Sequence, residues 1–233
     1  MTDLLVLWDV DYTLLSADGL GSRLYEVVFR QMFGRELSAV ASKAGRTDRA
    51  ISLDTLTMAG VPEPRDRVDD FLAALARQVA AVDGTVNEQV RALPGALAAI
   101  AALAEPGAGI RQSVLTGNIA PLAALKLAAA GLGDHLDLDV GAYGDAHEAR
   151  AELVSVARLA ASRAYKADFS GQSTILIGDT PLDVEAALLT GARAVGVATG
   201  SFSAAQLTAA GAHTVLPSLT DTARVLAAVT GLA

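Results

Sequence analysis

Asp9 and Asp11 stand two residues apart in LWDVDYTLLS, directly behind an apolar run that begins at Leu4. A strand built for burial does not end on two charges unless something receives them. Two further segments have the same form. Thr116-Gly117-Asn118 follows the apolar run Ile110 to Leu115, and Gly178-Asp179-Thr180-Pro181-Leu182-Asp183 follows Thr174 to Ile177. If the three segments meet, Asp9, Asp11, Asp179 and Asp183 crowd one edge of a sheet, which is costly unless a cation neutralises them. No histidine or cysteine falls in these segments, so the ligands are oxygens and the cation is hard. Magnesium is the natural choice, because it accepts a few carboxylates and keeps several waters. The Thr116 hydroxyl and the loop amides beside it suit a phosphate as the remaining ligand. The chemistry indicated is phosphoryl transfer.

Positioning these groups takes a parallel sheet. Leu4 to Val10 is apolar at strand length, as expected of a central strand covered on both faces. After Pro94 and Gly95, strand-like runs at Ile110–Leu115, Leu136–Val140, Thr174–Ile177, Ala194–Ala198 and Thr214–Leu216 alternate with helical stretches. That alternation predicts right-handed crossovers on a parallel sheet, whose ligands bind beyond the carboxyl ends of the strands. Between the first strand and Pro94 the apolar period is helical. Leu20, Leu24, Val27, Val28 and Met32 recur up to Gly34, Asp48 to Ala59 reads as a helix closed by Gly60 and Pro62, and Val68, Phe71, Leu72, Leu75, Val79 and Val82 recur up to Gly84. No convincing strand stands out there. Residues 1–15 and 91–233 therefore read as one three-layer, Rossmann-like α/β core, with 16–90 an all-helical cap inserted into it. Flexible connections are expected at 15–19 and 88–95.

Composition excludes several functions. The chain has 233 residues, 52% of them apolar and 19% charged, which describes a compact protein. It has no cysteine, so neither disulfides nor thiolate metal sites enter, and a reducing compartment is the easier setting. The net charge of −8 repels a phosphate backbone, and there is no basic run to bind nucleic acid. No apolar run approaches the roughly 20 residues that span a bilayer. MTDLLVLWDV has no basic stretch ahead of its apolar residues and does not suit a signal peptide, so a cytoplasmic location is expected. A monomer and a homodimer are both compatible with the sequence.

DVDYT, LTGN and GDTPLD, in that order and each closing an expected strand, resemble the motifs of the haloacid dehalogenase superfamily, in the phosphoglycolate phosphatase-like form with an inserted helical cap. The likeness covers nearly the whole chain. It implies a magnesium-dependent hydrolase of small phosphorylated metabolites. Asp9 would be the nucleophile that forms an aspartyl-phosphate, and Asp11 would protonate the leaving alkoxide and then deprotonate water, with a pKa raised by desolvation and like charge. Thr116 would donate its hydroxyl to the phosphoryl group, helped by the Gly117 and Asn118 amides. Asp9, Asp11, Asp179 and Asp183 would hold the metal, Asp183 through a water or by orienting a ligand. The lysine-proline pair expected after the third strand is absent. Arg150, in HEARAELV, stands where the family places its cation, with Lys126 and Lys166 as rivals whose simpler reading is solvated surface. Gly45 to Arg49, GRTDR, resembles the cap loop that faces the cleft. Arg46 and Arg49 are thus candidates for gripping an anionic part of the substrate, or else ordinary surface arginines. His135, His147 and His213 are scattered and read as polar surface, and Trp8 reads as core. A phosphomutase of the beta-phosphoglucomutase kind, a dehalogenase and a catalytically silent binding protein are the alternatives. Asp11 counts against the dehalogenase, since halide leaves without a proton.

Overall fold

The computed structural model of the protein describes residues 3–17, 19–82, 89–105 and 109–231. Strand β1 (Leu4–Trp8) leads through a short strand, β2 (Leu15–Ala17), into three helices, α1 (Leu20–Phe33), α2 (Asp48–Met58) and α3 (Pro64–Ala80). The chain returns by β3 (Val90–Ala92) and α4 (Ala96–Leu103). Strand and helix then alternate through β4 (Ile110–Val114), α5 (Ala120–Ala129), α6 (Arg150–Tyr165), β5 (Thr174–Gly178), α7 (Pro181–Leu189), β6 (Arg193–Val197), α8 (Ala204–Ala209), β7 (Thr214–Leu216) and α9 (Thr222–Thr230). Five strands pair in parallel in the order β4-β1-β5-β6-β7.

The continuous apolar run of β1 follows from its central place. Leu5 and Leu7 enter a core shared with Leu153 and Val154 of α6, Val184 of α7 and Leu207 of α8. Val6 and Trp8, on the other face, join Ile100 of α4, Leu122 of α5 and Val225 of α9. Both faces of the strand are thus dry, the condition for helices on both sides of a parallel sheet. Trp8 is core as expected, its indole N–H satisfied by Gln112 Oε1 at 3.0 Å. Because β4, β1 and β5 are neighbours, the loops after them are neighbours too, at the edge where the chain runs to opposite sides of β1.

Two expectations need correction. Leu136 to Val140 is not a strand: a short 3-10 turn, Gly133–His135, precedes it, and Leu138–Val140 forms a second. Asp137 caps the second turn by accepting the Asp139 amide at 3.1 Å, a local bond that competes with a sheet ladder. The pairing there is reduced to a single bridge, Leu115 with Ala142. Conversely, the connections around the helical segment contain β2 and β3, which pair antiparallel with Leu15 opposite Ala92 and Ala17 opposite Val90. Three-residue strands carry too little period to be seen in a sequence. Gly84 and residue 88 fall outside the described residues.

Candidate active site

The turn after β1 is tight. Leu14 and Leu15 both donate backbone N–H to the Val10 carbonyl, and Tyr12 occupies the left-handed region at φ 59°, uncommon for a residue with a side chain. Thr199, in the loop after β6, donates its hydroxyl to the Tyr12 carbonyl at 2.6 Å. The turn therefore places Asp9 and Asp11 on two different walls of one cavity.

On the first wall Asp9, Asp179 and Asp183 are buried, each offering an oxygen within 4.8 Å of the others. Arg150, the first residue of α6, lies between them. Its Nη2 donates to Asp9 Oδ1 at 2.6 Å and to the Leu115 carbonyl at 3.1 Å. The same nitrogen is 2.6 Å from Asp183 Oδ1, but that oxygen receives no hydrogen bond, so the contact is one of charge. Asp183 Oδ2 closes a capping box at the start of α7, accepting the Thr180 hydroxyl at 2.7 Å and its amide at 3.1 Å, with Pro181 in the first turn as expected. Three carboxylates against one guanidinium leave two negative charges in excess. Burial, with the charges of Asp183 and Asp11 added, pushes Asp9 up to about 7 even against the pull of Arg150. Asp179 is pushed up to about 8 by burial and by the charges of Asp9 and Asp183. A divalent cation fits this wall. It would cancel the excess, it would have oxygen ligands alone, and it would give the orphaned Asp183 oxygen a partner. The backbone keeps room beside Asp179: a β-carbon on Gly200 would stand 1.7 Å from Asp179 Oδ2.

Asp11, on the second wall, is held differently from the expectation. Lys126 Nζ donates to both its oxygens, at 2.7 and 2.8 Å, and Asn118 Nδ2 donates to Oδ2 at 2.6 Å. The Lys126 charge and these hydrogen bonds outweigh desolvation and hold the Asp11 carboxyl below its ordinary pKa, where a raised one was expected. Its carboxylate is also not among the three that cluster for a metal. Lys126 is 4% exposed, so the surface reading of this lysine is wrong. A lysine on the buried face of α5, one turn from buried Leu122, is the sequence signal that a site residue lay there. Lys166 is exposed at the end of α6 and takes no part.

Thr116 is buried beside these groups, its Oγ1 accepting the Asn118 amide at 3.2 Å and Asn118 Nδ2 at 2.8 Å. Gly117 is packed backbone to backbone, since a β-carbon there would stand 2.0 Å from the Arg46 carbonyl. The cavity, about 480 Å³, is lined by Asp9, Asp11, Thr116, Lys126, Arg150 and Asp179 from the core and by Lys43 and Arg46 from the helical segment. Arg46 reaches it but pairs with Asp54 at 2.6 Å. Arg49 does not line the cavity: its Nε donates to the Asp145 carbonyl at 2.7 Å and its Nη2 pairs with Asp69 at 2.7 Å. None of the three histidines lines it. Lys43, Tyr25 and Asp48 do line it; neither motif nor period singled out Lys43 or Tyr25, and within GRTDR the arginines rather than Asp48 were the candidates.

The family model for haloacid dehalogenase-like hydrolases matches residues 6–188, and the chain belongs to that family. Among solved structures, it is similar to a predicted phosphatase from Clostridium acetobutylicum at TM-score 0.69 and 18% identity, over 97% of this chain and 99% of that one. A hydrolase from Pseudomonas syringae matches at TM-score 0.64 and 20% identity over the whole of both chains. A haloacid dehalogenase-like family protein from Streptococcus pneumoniae matches at 0.62 and 15%, over 97% of each. At these identities the likeness is one of fold. No protein with a curated description matches the sequence. No described helix is long and apolar enough to cross a membrane.

Proposed function

We propose that the protein is a magnesium-dependent phosphatase that hydrolyses a small phosphorylated metabolite through an aspartyl-phosphate on Asp9. The observation that carries this reading is the pairing on two walls of one cavity: Asp9 with Arg150 and two further acids on one, and Asp11 beside Thr116 and Asn118 on the other. Asp9, Asp179 and Asp183 are the residues that would hold magnesium, whose charge lets Asp9 stay ionised beside an anionic substrate.

An Asp9 carboxylate oxygen attacks phosphorus and the bond from phosphorus to the substrate oxygen breaks. Arg150 keeps Asp9 aimed and offsets charge on the transferring group, and the Thr116 hydroxyl donates to it. Asp11 gives the leaving oxygen its proton. It then takes a proton from the water that attacks phosphorus on the aspartyl-phosphate, releasing phosphate and restoring Asp9. In the arrangement described, Asp11 is an ionised base held by Lys126. A phosphoryl dianion entering beside it raises its pKa and supplies the condition for the acid step. The helices α1 to α3 act as a cap whose loop at 43–46 forms the cavity's outer side, and their closure excludes bulk water.

The test is hydrolysis of an aryl phosphate and of a panel of phosphorylated metabolites, with and without magnesium, with Asp9→Asn as control. Magnesium-dependent release of phosphate that vanishes in Asp9→Asn is expected. Its absence across the panel would turn the reading toward a binding protein, and conversion of a sugar phosphate to its isomer without release would make the enzyme a mutase.

A further inference from the structure

Asp48, the first residue of α2, is a buried carboxylate that the mechanism leaves without a task. Its Oδ2 accepts the backbone amide of Ile119 at 2.8 Å, and its Oδ1 accepts the Tyr25 hydroxyl at 2.9 Å. Among the described residues it forms no ion pair. It is not needed to cap its own helix, because Thr47 fills that place and accepts the Ala50 amide at 3.2 Å. Ile119 is the N-cap of α5, and that helix has no side-chain cap of its own. The acceptor for the N-cap amide, which an acid or amide side chain at the position of Leu122 would supply in a capping box, comes instead from a residue 71 positions away in sequence.

The amide that Asp48 holds belongs to the loop that carries Thr116, Gly117 and Asn118. The surrounding contacts run the same way. Asp48 N donates to the Gly117 carbonyl at 2.7 Å and Arg49 N to the Gly144 carbonyl at 2.8 Å, while the Thr47 hydroxyl donates to the Glu148 carbonyl at 2.9 Å. The packing at this seam is backbone against backbone, since a β-carbon on Gly144 would stand 1.8 Å from the Gly117 carbonyl. A carboxylate there also sits at the positive ends of two helices, α2 and α5, and in the field of the Lys126 ammonium, which together help keep it in a buried place without a direct ion pair. Burial does lift its pKa, against the pull of the Ile119 amide and the Tyr25 hydroxyl.

We infer that Asp48 is a positioning residue: carried by the helical segment, it fastens the Ile119 amide and so keeps the loop 116–119 in its phosphate-binding shape only while that segment is docked on the core. The inference rests on the phosphatase reading for its kinetic consequence, but not for its structural one. Docking of the helices and completion of the phosphate loop become one event. An open protein has a loop whose last amide lacks its acceptor.

The test compares Asp48→Ala and Asp48→Asn with wild type in two readouts. The first is kcat and KM with magnesium on an aryl phosphate and an alkyl phosphate. The second is amide exchange of residues 116–122, followed by mass spectrometry without substrate. Asp48→Ala is expected to lose about tenfold or more in kcat on both esters and to exchange faster in that segment, as loss of a buried acceptor implies. Asp48→Asn, whose carboxamide oxygen still accepts the amide, is expected to stay within about threefold of wild type. A loss confined to one ester would mean that Asp48 touches the leaving group, and would overturn the inference. So would an Asn variant as impaired as the Ala variant, or unchanged exchange at 116–122. Should Asp48→Ala not fold, the Asn variant decides by the same criterion. A wild type inactive on every ester would defeat the phosphatase reading, and the exchange measurement would still judge the role of Asp48.

Discussion

Replacing Arg150 by methionine removes the one cation between Asp9 and Asp183 while keeping an unbranched apolar stem. Each acid lies 2.6 Å from the guanidinium, and at an effective dielectric near 20 each contact is worth roughly 6 kcal/mol of gross attraction. Most of that offsets the desolvation of buried charges, so breaking such a group by removing one partner costs a net of about 3–5 kcal/mol. Protonation sets a ceiling on the loss. Asp9 stands at about 7 with Arg150 beside it, so without it the pKa goes higher, and below that pH Asp9 itself leaves little charge to strand. The sign follows from linkage. Carboxyls whose folded pKa is raised contribute most at low pH, and that contribution is lost as pH rises through their folded values, here about 7 for Asp9 and about 8 for Asp179. In metal-free buffer, denaturant unfolding at pH 5 should therefore show a smaller loss for the variant than at pH 9. At pH 9 it should be about 3–5 kcal/mol less stable. With magnesium, turnover should fall about 10²- to 10³-fold, the range for loss of an oriented electrostatic group. Arg150→Lys should recover only part, since an ammonium keeps the charge but does not match the planar fork. Equal stability of Arg150→Met and wild type at pH 9, or turnover within a few fold, would refute this account of the charge balance.

Magnesium affinity should rise with pH between about 6 and 9, because Asp9 and Asp179 must shed the protons that their burial retains. Calorimetry in two buffers of different ionisation enthalpy should detect proton release at pH 7, and an affinity independent of pH would contradict it. Lys126→Met should raise the pKa of Asp11, which that ammonium holds down. The pH profile of kcat/KM on an alkyl ester should then move upward by about one unit or more, and an unmoved profile would remove Asp11 from the titrating step.

The parallel core was legible in the sequence because burial on both faces leaves an unmistakable mark. The runs at Leu4, Ile110, Thr174, Ala194 and Thr214 all became strands, and the three polar segments behind them meet in space because β4, β1 and β5 are neighbours. Arg150 could be placed by motif order alone, and it does bridge two acids. Local patterns misled where a side chain competed with the ladder, as Asp137 does in turning Leu136–Val140 away from the sheet. The sequence therefore determined which residues could do the chemistry and which strands carry them. Only the tertiary structure decided the charge each acid bears. Asp9 and Asp11 are two residues apart and identical in kind, yet one is pushed up by burial among acids while the other is drawn down by Lys126, 115 positions along the chain. Periodicity reports burial within an element, but a pKa is set by charges brought in from other elements, and that information exists only once the chain has folded.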